Sequence, residues 1–291
     1  MSKYDNFSTD NLLKEKVFVG TEAVGISREE ISFIKDVLSE SSIEKEGFDI
    51  SEILESLKLI DQNTECDSYS FISDQKLFVL KINEDDPDLV LQREYDNLNL
   101  FKGKQISPIP SFFEQVDYSD SKVNLLVVTL ESSLSLFDVS EREFFELLDP
   151  LAMNLSFMHE FTQGSRDNEL DLFLKAFIED NDFQKIVPDD ILENFKTRIP
   201  SYDKYIELLS LIKNQVQEEI KELDQNNFSL CHTNSTKSKI LLKNNFFKFI
   251  NFHQSFVLDP FFDLAFLCLS TGLCKSRSSE KTLLEKYFKH H

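Results

Sequence analysis

The amino-acid sequence predicts an α+β fold with a mixed N-terminal lobe and a mainly helical C-terminal lobe. Two strand-like runs, Tyr69–Ile72 and Lys76–Ile82, flank a polar turn, and a continuous apolar run at Leu125–Leu130 predicts a further strand. From Val139 to Leu223 the apolar residues recur at helical spacing instead. Strands and helices that are grouped separately along the chain are typical of α+β proteins.

Two helices are predicted ahead of the first strand. Ser27 and Glu30 form a capping-box pattern before an apolar stripe, so a helix begins there. A second helix is predicted to begin near Asp49. Its apolar face would consist of Ile53, Leu54, Leu57 and Ile60.

One more helix and a hairpin complete the prediction. Leu89–Phe101 carries apolar residues on one face and is expected to be a helix between strands. Lys239–Leu242 and Phe246–Phe252 are expected to be two short strands, followed by a final helical stretch. We therefore divide the chain into an N-terminal lobe with a helical extension, residues 1–130, and a C-terminal helical lobe, residues 131–291.

The composition restricts the classes of function. Acidic residues outnumber basic ones by 52 to 31, which gives a formal net charge of −21. Because such a surface repels phosphate backbones and anionic headgroups, we expect neither nucleic-acid binding nor membrane-surface binding. The N-terminus lacks the apolar core of a signal peptide and no apolar run reaches about eighteen residues, so a cytoplasmic protein is expected. The four cysteines, none in a CxxC pair, are expected to be reduced core thiols.

Two sequence blocks near the C-terminus carry the sharpest motif. Leu230–Leu242 reads LCHTNSTKSKILL, and Phe249–Ala265 reads FINFHQSFVLDPFFDLA. These blocks resemble the loop and hairpin of the aminoglycoside phosphotransferase and choline kinase family, in which the pattern is H-G-D, N-I-L, I-D-[WF]-E and G-D-P-x-x-D-L-A. The spacing matches throughout, and Asp259 and Asp263 stand at the two aspartates of the last motif.

The N-terminal half agrees with this resemblance. The strand ending Val79-Leu80-Lys81-Ile82 is similar to the one that bears the family's phosphate-gripping lysine, and Glu94 stands where the family keeps the glutamate that pairs with it. The resemblance covers roughly residues 60–288 and implies a protein kinase-like two-lobe fold with an antiparallel N-lobe sheet. It also implies structural roles for His232, Asp259 and Asp263, with His159 packed beneath the catalytic loop.

The chain departs from the family pattern at the residues that perform the chemistry. Asn234 stands at the position of the proton-accepting aspartate, and loss of a general base costs about 10²- to 10⁴-fold in rate. Lys239 and Asn251 replace the two magnesium ligands, and His253 replaces the following acid. The glycine-rich turn is also missing, because residues 64–73 contain no glycine. Magnesium-dependent phosphoryl transfer is therefore not expected, and no metal site is predicted.

Three functions follow as hypotheses. The first is a pseudokinase that serves as an interaction or regulatory module for a protein partner. The second is an active small-molecule phosphotransferase with atypical metal ligands, which transfers phosphate from ATP to an amino sugar or choline-like acceptor. The third is an unrelated α+β binding or structural protein. As cofactor, ATP held without magnesium by Lys81 and Lys239 stays open, since lysine binds phosphate as a point charge.

Overall fold

The computed structural model describes most of both lobes. The described residues are 26–62, 66–84, 89–130, 134–135, 139–164, 228–236, 239–243, 246–271 and 277–290, together with Glu169, Leu172 and Leu211. The part of the predicted helical run 139–223 beyond residue 164 lies largely outside them. So does Cys274.

A helical extension precedes the sheet, as the sequence predicted. It consists of α1 (Arg28–Glu40), a 3₁₀ turn (Ile43–Glu46) and α2 (Ile50–Ser56). The Ser27 side chain accepts a hydrogen bond from the backbone N–H of Glu30, and the Glu30 carboxylate accepts one from Ser27 N–H, which completes the predicted capping box. Asp49 caps α2 with its side chain, which accepts from the backbone N–H groups of Ser51 and Glu52.

The N-terminal lobe is a five-stranded antiparallel sheet with one helix between its third and fourth strands. The elements, in chain order, are β1 (Lys58–Gln62), β2 (Asp67–Ser73), β3 (Lys76–Glu84), α3 (Val90–Leu100), β4 (Ile109–Tyr118) and β5 (Ser121–Leu130). The strand order is β1-β2-β3-β5-β4. The predicted hairpin, helix and strand are therefore confirmed.

Two predictions about this lobe were wrong. Leu57 and Ile60 do not extend α2, because Leu57 adopts an extended conformation and Ile60 lies in β1, where pairing with β2 outweighs the helical spacing of the apolar residues. Strand β4 was not predicted. Its pattern is interrupted by Pro110 and by a register shift between Pro110 and Phe112, features that an edge strand tolerates.

The described part of the C-terminal lobe combines helices with short strands. In chain order these elements are β6 (Leu134–Ser135), α4 (Glu141–Glu146), α5 (Leu148–Thr162), β7 (Ser229–Cys231), β8 (Ile240–Lys243), β9 (Phe246–Phe249), a 3₁₀ turn (Phe252–Gln254), β10 (Phe256–Leu258), α6 (Phe261–Thr271) and α7 (Arg277–His290). The predicted hairpin is β8–β9. Its second strand ends at Phe249, short of the predicted Phe252, because the chain turns at Asn251 into a left-handed conformation with φ 66°.

The buried apolar side chains form two hydrophobic clusters. An outer cluster lies between the sheet and α1–α2, and it includes Ile34, Leu38, Phe71 and Leu125. An inner cluster joins the other face of the sheet to the C-terminal lobe, so the two lobes share one core. Cys66, Cys231 and Cys268 are buried and form no disulfide, as predicted. No helix in the described part of the chain has the length and apolar character needed to cross a bilayer.

Candidate functional site

The centre of the interlobe cleft is a buried ion pair between β3 and α3. The Lys81 ammonium donates to both carboxylate oxygens of Glu94, at 2.8 and 2.6 Å. Both side chains are almost fully buried, with 4% and 2% of their surface exposed. Strand β3 and helix α3 thus bring together the two residues that the sequence paired.

Asn251 accepts the third hydrogen bond of the Lys81 ammonium. Its side-chain Oδ1 accepts a hydrogen bond from Lys81 Nζ at 2.9 Å. Asn251 can do so because it sits in the left-handed region, which asparagine tolerates better than most residues, at the point where β9 gives way to the 3₁₀ turn. An ammonium has three N–H donors, and Lys81 has three oxygen acceptors around it.

His253 reaches the same carboxylate from the other side. Its Nδ1 lies 3.5 Å from Glu94 Oε2, and its side chain is buried. Burial by itself would raise the pKa of Glu94, but the Lys81 ammonium and His253 outweigh it and lower that pKa to about 2. Glu94 is therefore ionised at neutral pH.

The loop after β7 carries Asn234 at its half-buried centre. Asn234 Nδ2 donates to Gln254 Oε1 at 2.7 Å, and the neighbouring Thr233 hydroxyl donates to the backbone carbonyl of Gln254. The neutral amide side chains of Asn234 and Gln254 are thus in contact at the position where the resemblance implies a carboxylate base. Neither amide has useful basicity at neutral pH.

Asp263, near the start of α6, organises this loop. Its two carboxylate oxygens accept hydrogen bonds from the backbone N–H groups of His232 and Thr233, each at 2.7 Å, and from the Ser235 hydroxyl at 3.3 Å. Burial alone would raise the pKa of Asp263, but the hydrogen bonds that its carboxylate accepts from His159 and from the His232 backbone N–H lower it. Asp259 lies apart from the cleft, where it accepts from Phe261 N–H at the start of α6.

His159 continues the network towards the C-terminal helix. Its Nε2 lies 3.1 Å from Asp263 Oδ2 and its Nδ1 lies 2.9 Å from the Tyr287 hydroxyl. An ionised carboxylate only accepts, so Nε2 carries a hydrogen and donates to Asp263. Helix α7 is thereby connected to the loop beneath which His159 was predicted to pack.

His232 ties the loop to the hairpin. Its Nε2 donates to the backbone carbonyl of Ile250 at 2.7 Å, and its ring packs edge-on against Phe252. Its Nδ1 is buried and has no hydrogen-bond partner among the described residues. Burial lowers the pKa of His232, so the ring is neutral.

Lys239 lies immediately before β8 and is half-buried. Its backbone carbonyl accepts a hydrogen bond from Ile250 N–H at 3.0 Å, which places it beside the residue that precedes Asn251. The hairpin therefore brings together both positions at which the resemblance implies magnesium ligands.

These residues do not fit magnesium. The ion prefers several hard oxygen ligands, usually including carboxylates. Here Asn251 provides one neutral oxygen that already accepts from Lys81, and Lys239 brings an ammonium. Both changes oppose binding of a divalent cation.

A second set of potential ligands, His159, Cys231 and Asp263, lies within 4.8 Å in the buried core. Hydrogen bonds within the protein explain why these three side chains lie close together. The Cys231 thiol points at the Leu258 and Asp259 carbonyls, and burial raises its pKa well above the usual range, which disfavours a thiolate ligand.

Sequence reasoning missed three residues of this site. Asn97, fully buried on α3, donates from Nδ2 to the Phe252 carbonyl at 3.0 Å, while Gln254 and Tyr287 contact Asn234 and His159. A polar residue on the buried face of the α3 pattern was the available signal for Asn97. The other two partners are set only by the tertiary arrangement.

The architecture and this arrangement define a protein kinase-like fold of the kind found in small-molecule phosphotransferases. The solved structure of amicoumacin kinase hAmiN, in complex with AMP-PNP, Ca2+ and Ami, matches 88% of this chain and 79% of its own with a TM-score of 0.61 at 13% identity. A thermostable mutant of aminoglycoside phosphotransferase APH(4)-Ia matches 81% and 78%, with a TM-score of 0.56 at 13% identity.

A third structure agrees. Spectinomycin phosphotransferase APH(9)-Ia, in complex with ADP and spectinomycin, matches 79% of this chain and 74% of its own with a TM-score of 0.51 at 15% identity. Scans against protein-family models and curated proteins return no match. The predicted kinase-like fold is confirmed.

Proposed function

We propose that this chain is a pseudokinase, a kinase-like module that interacts with or regulates another protein without magnesium-dependent phosphoryl transfer. One contact supports this most directly, the 2.9 Å hydrogen bond from Lys81 to Asn251. In the family that the sequence resembles, the corresponding lysine grips phosphate and the corresponding acid binds the metal. Here the two side chains bind each other.

The loop supports the same proposal. Phosphoryl transfer needs a positioned base or water-orienting group and a cation that neutralises the developing charge. Asn234 cannot accept a proton, and its amide is held by Gln254. The chain therefore keeps the scaffold of the loop, through Asp263 and His232, without its reactive groups.

The cleft retains one means of binding a nucleotide. Because Lys81 already has three acceptors, a phosphate held without magnesium would depend mainly on Lys239. The proposal therefore includes ATP binding without metal. In it Lys239 makes the main contact with the phosphates, and Lys81 makes a smaller contribution.

A nucleotide titration with and without magnesium tests the proposal. ATP binding is measured by calorimetry in MgCl2 and in EDTA, beside an ATP hydrolysis assay with and without an amino sugar or choline. We expect no turnover and an affinity that EDTA leaves unchanged, with Lys239→Asn weakening it and Lys76→Asn, at an exposed position on β3, leaving it intact. Turnover that Asn234→Ala abolishes would overturn the proposal.

An active phosphotransferase with atypical ligands is the second candidate, since one observation favours it. The Lys81–Glu94 pair is fully formed at 2.6 Å, as a phosphate-binding lysine requires. Magnesium-dependent turnover in the same assay would establish this candidate.

The partner of the proposed module is a protein with a basic surface. A net charge of −21 attracts such patches and repels nucleic acid. We place this interaction in the cytoplasm, as the sequence predicts.

A further inference from the structure

The residues around Lys81 and Glu94 form a charge-balanced cluster. One ammonium faces one carboxylate, and two groups from the segment after β9, the Asn251 amide and the His253 imidazole, point inward at that pair. The contacts of Asn251 and His253 run between the C-terminal lobe and the N-terminal lobe, on β3 and α3.

The charge balance depends on the two residues that depart from the family pattern. Carboxylates at positions 251 and 253 would place three acids around one lysine. Like charges in a buried site are unfavourable unless a cation compensates them, which is the task of a metal ion. With asparagine and histidine in these places, Glu94 is the one carboxylate that faces Lys81 among positions 81, 94, 97, 251 and 253, and the cluster has no need of a metal.

Further contacts join the same two segments. Asn97 on α3 donates to the Phe252 carbonyl at 3.0 Å. The Arg93 guanidinium lies 4.7 Å from the centre of the Phe256 ring, and the Phe101 and Phe252 rings lie 5.4 Å apart. One face of α3 is therefore fastened to residues 251–256 along its length.

We propose that Lys81, Glu94, Asn97, Asn251 and His253 form an interlobe latch that holds the kinase-like cleft closed without metal or nucleotide. Lys81 supplies the positive charge that a metal-dependent cleft takes from its ion. The latch goes beyond the proposed function, because it concerns how the lobes are held and does not depend on whether ATP is turned over.

Hydrogen–deuterium exchange of the whole chain tests the latch. Exchange is followed by mass spectrometry in peptides covering α3 and β10, in MgCl2 and in EDTA. Peptides from β4 and β5 that pack on the outer cluster serve as the internal reference. Two variants weaken the latch: Asn97→Ala removes a donor, and Asn251→Gly removes the acceptor while suiting the positive φ.

Asn99→Ala is the matched control. Asn99 lies on the same helix, but its Nδ2 donates to the Tyr95 carbonyl within α3 and does not cross between lobes. Since a lost buried hydrogen bond weakens local closure, we expect exchange in α3 and β10 to rise roughly tenfold in Asn97→Ala and in Asn251→Gly, and not in Asn99→Ala. In the unmodified chain MgCl2 and EDTA should give the same rates.

Two results would overturn the latch. One is exchange in both latch variants that matches the Asn99→Ala control. The other is slower exchange of α3 and β10 in the unmodified chain when MgCl2 is added. Should Asn97→Ala fail to fold, Asn251→Gly, at a half-buried position, decides the question alone. ATP turnover would contradict the proposed function and leave the exchange result standing.

Discussion

Lys81 Nζ lies 2.9 Å from Asn251 Oδ1, so the lysine of strand β3 and the residue at the degenerate metal position bind each other directly. This contact uses the oxygen that an aspartate would offer to a metal. It also completes the set of acceptors around a buried ammonium.

Restoring the carboxylate should restore a response to magnesium. The double variant Asn251→Asp, Lys239→Asn matches the family pattern. It places a carboxylate at position 251 in exchange for an amide, and an amide at position 239 in exchange for an ammonium. A ligand that binds only the folded state raises its stability, so we expect Tm in MgCl2 to exceed Tm in EDTA by about 4 °C or more. Thermal denaturation measures this difference. The unmodified chain and Lys239→Asn alone should show none, and an equal response in all three would contradict the prediction.

Lys81→Met should destabilise the fold strongly. It leaves the Glu94 carboxylate buried without its cation, and breaking a buried pair in this way costs about 3–5 kcal/mol. The free energy of unfolding in urea measures the loss. Lys76→Met, on the same strand but exposed, should change it by less than about 0.5 kcal/mol. Adding Glu94→Gln to Lys81→Met removes the unpaired carboxylate and should recover part of the lost free energy of unfolding. If nothing is recovered, the buried charge of Glu94 is not the cause of the destabilisation.

Asp263→Asn should cost more stability than Asp259→Asn. The carboxylate oxygens of Asp263 accept from two backbone N–H groups, one each, and an amide at position 263 would keep one acceptor oxygen and turn its NH2 donor towards the other N–H group, a loss of about 2–4 kcal/mol. At position 259, asparagine can still accept from Phe261 N–H, so we expect a change below about 1 kcal/mol. Urea denaturation of both variants checks the order, and equal losses would show that Asp263 does not brace the loop.

Stability should fall as the pH drops below 6.5, in part because of His232. Burial lowers the pKa of His232 in the folded state, so the unfolded state binds the proton first as the pH falls from 6.5 towards that lowered value. Folding then loses up to about 1.4 kcal/mol per pH unit for this group. The stability it contributes is fully present above the ordinary pKa of 6.5.

The matched variant is His232→Gln, which keeps a donor for the Ile250 carbonyl but does not titrate. Just below pH 6.5 we expect the free energy of unfolding of this variant to vary less steeply with pH. The reason is that unfolding of the variant takes up as much as about one proton fewer than unfolding of the unmodified chain. The measurement is urea denaturation across this range. An unchanged slope would show that His232 is not held neutral in the fold.

From the sequence alone, most of the described elements could be predicted in order, together with candidate site residues. The capping box at Ser27, the strand that carries Lys81 and the block around Asp263 depend on local spacing, so each could be predicted. The departures at Asn234, Lys239 and Asn251 are also sequence facts. Local patterns failed at edge strands, since β1 and β4 depend on pairing partners that are distant in the chain.

Only the tertiary structure decided what the replaced residues do. Asn251 is 170 positions from Lys81, and Asn97 is 155 positions from Phe252, so no local pattern relates them. The sequence indicated the loss of carboxylates at the cleft, but not that the amide and the imidazole turn inward onto a buried ion pair. That choice follows from packing, because a buried ammonium and carboxylate must find partners within reach once the lobes close.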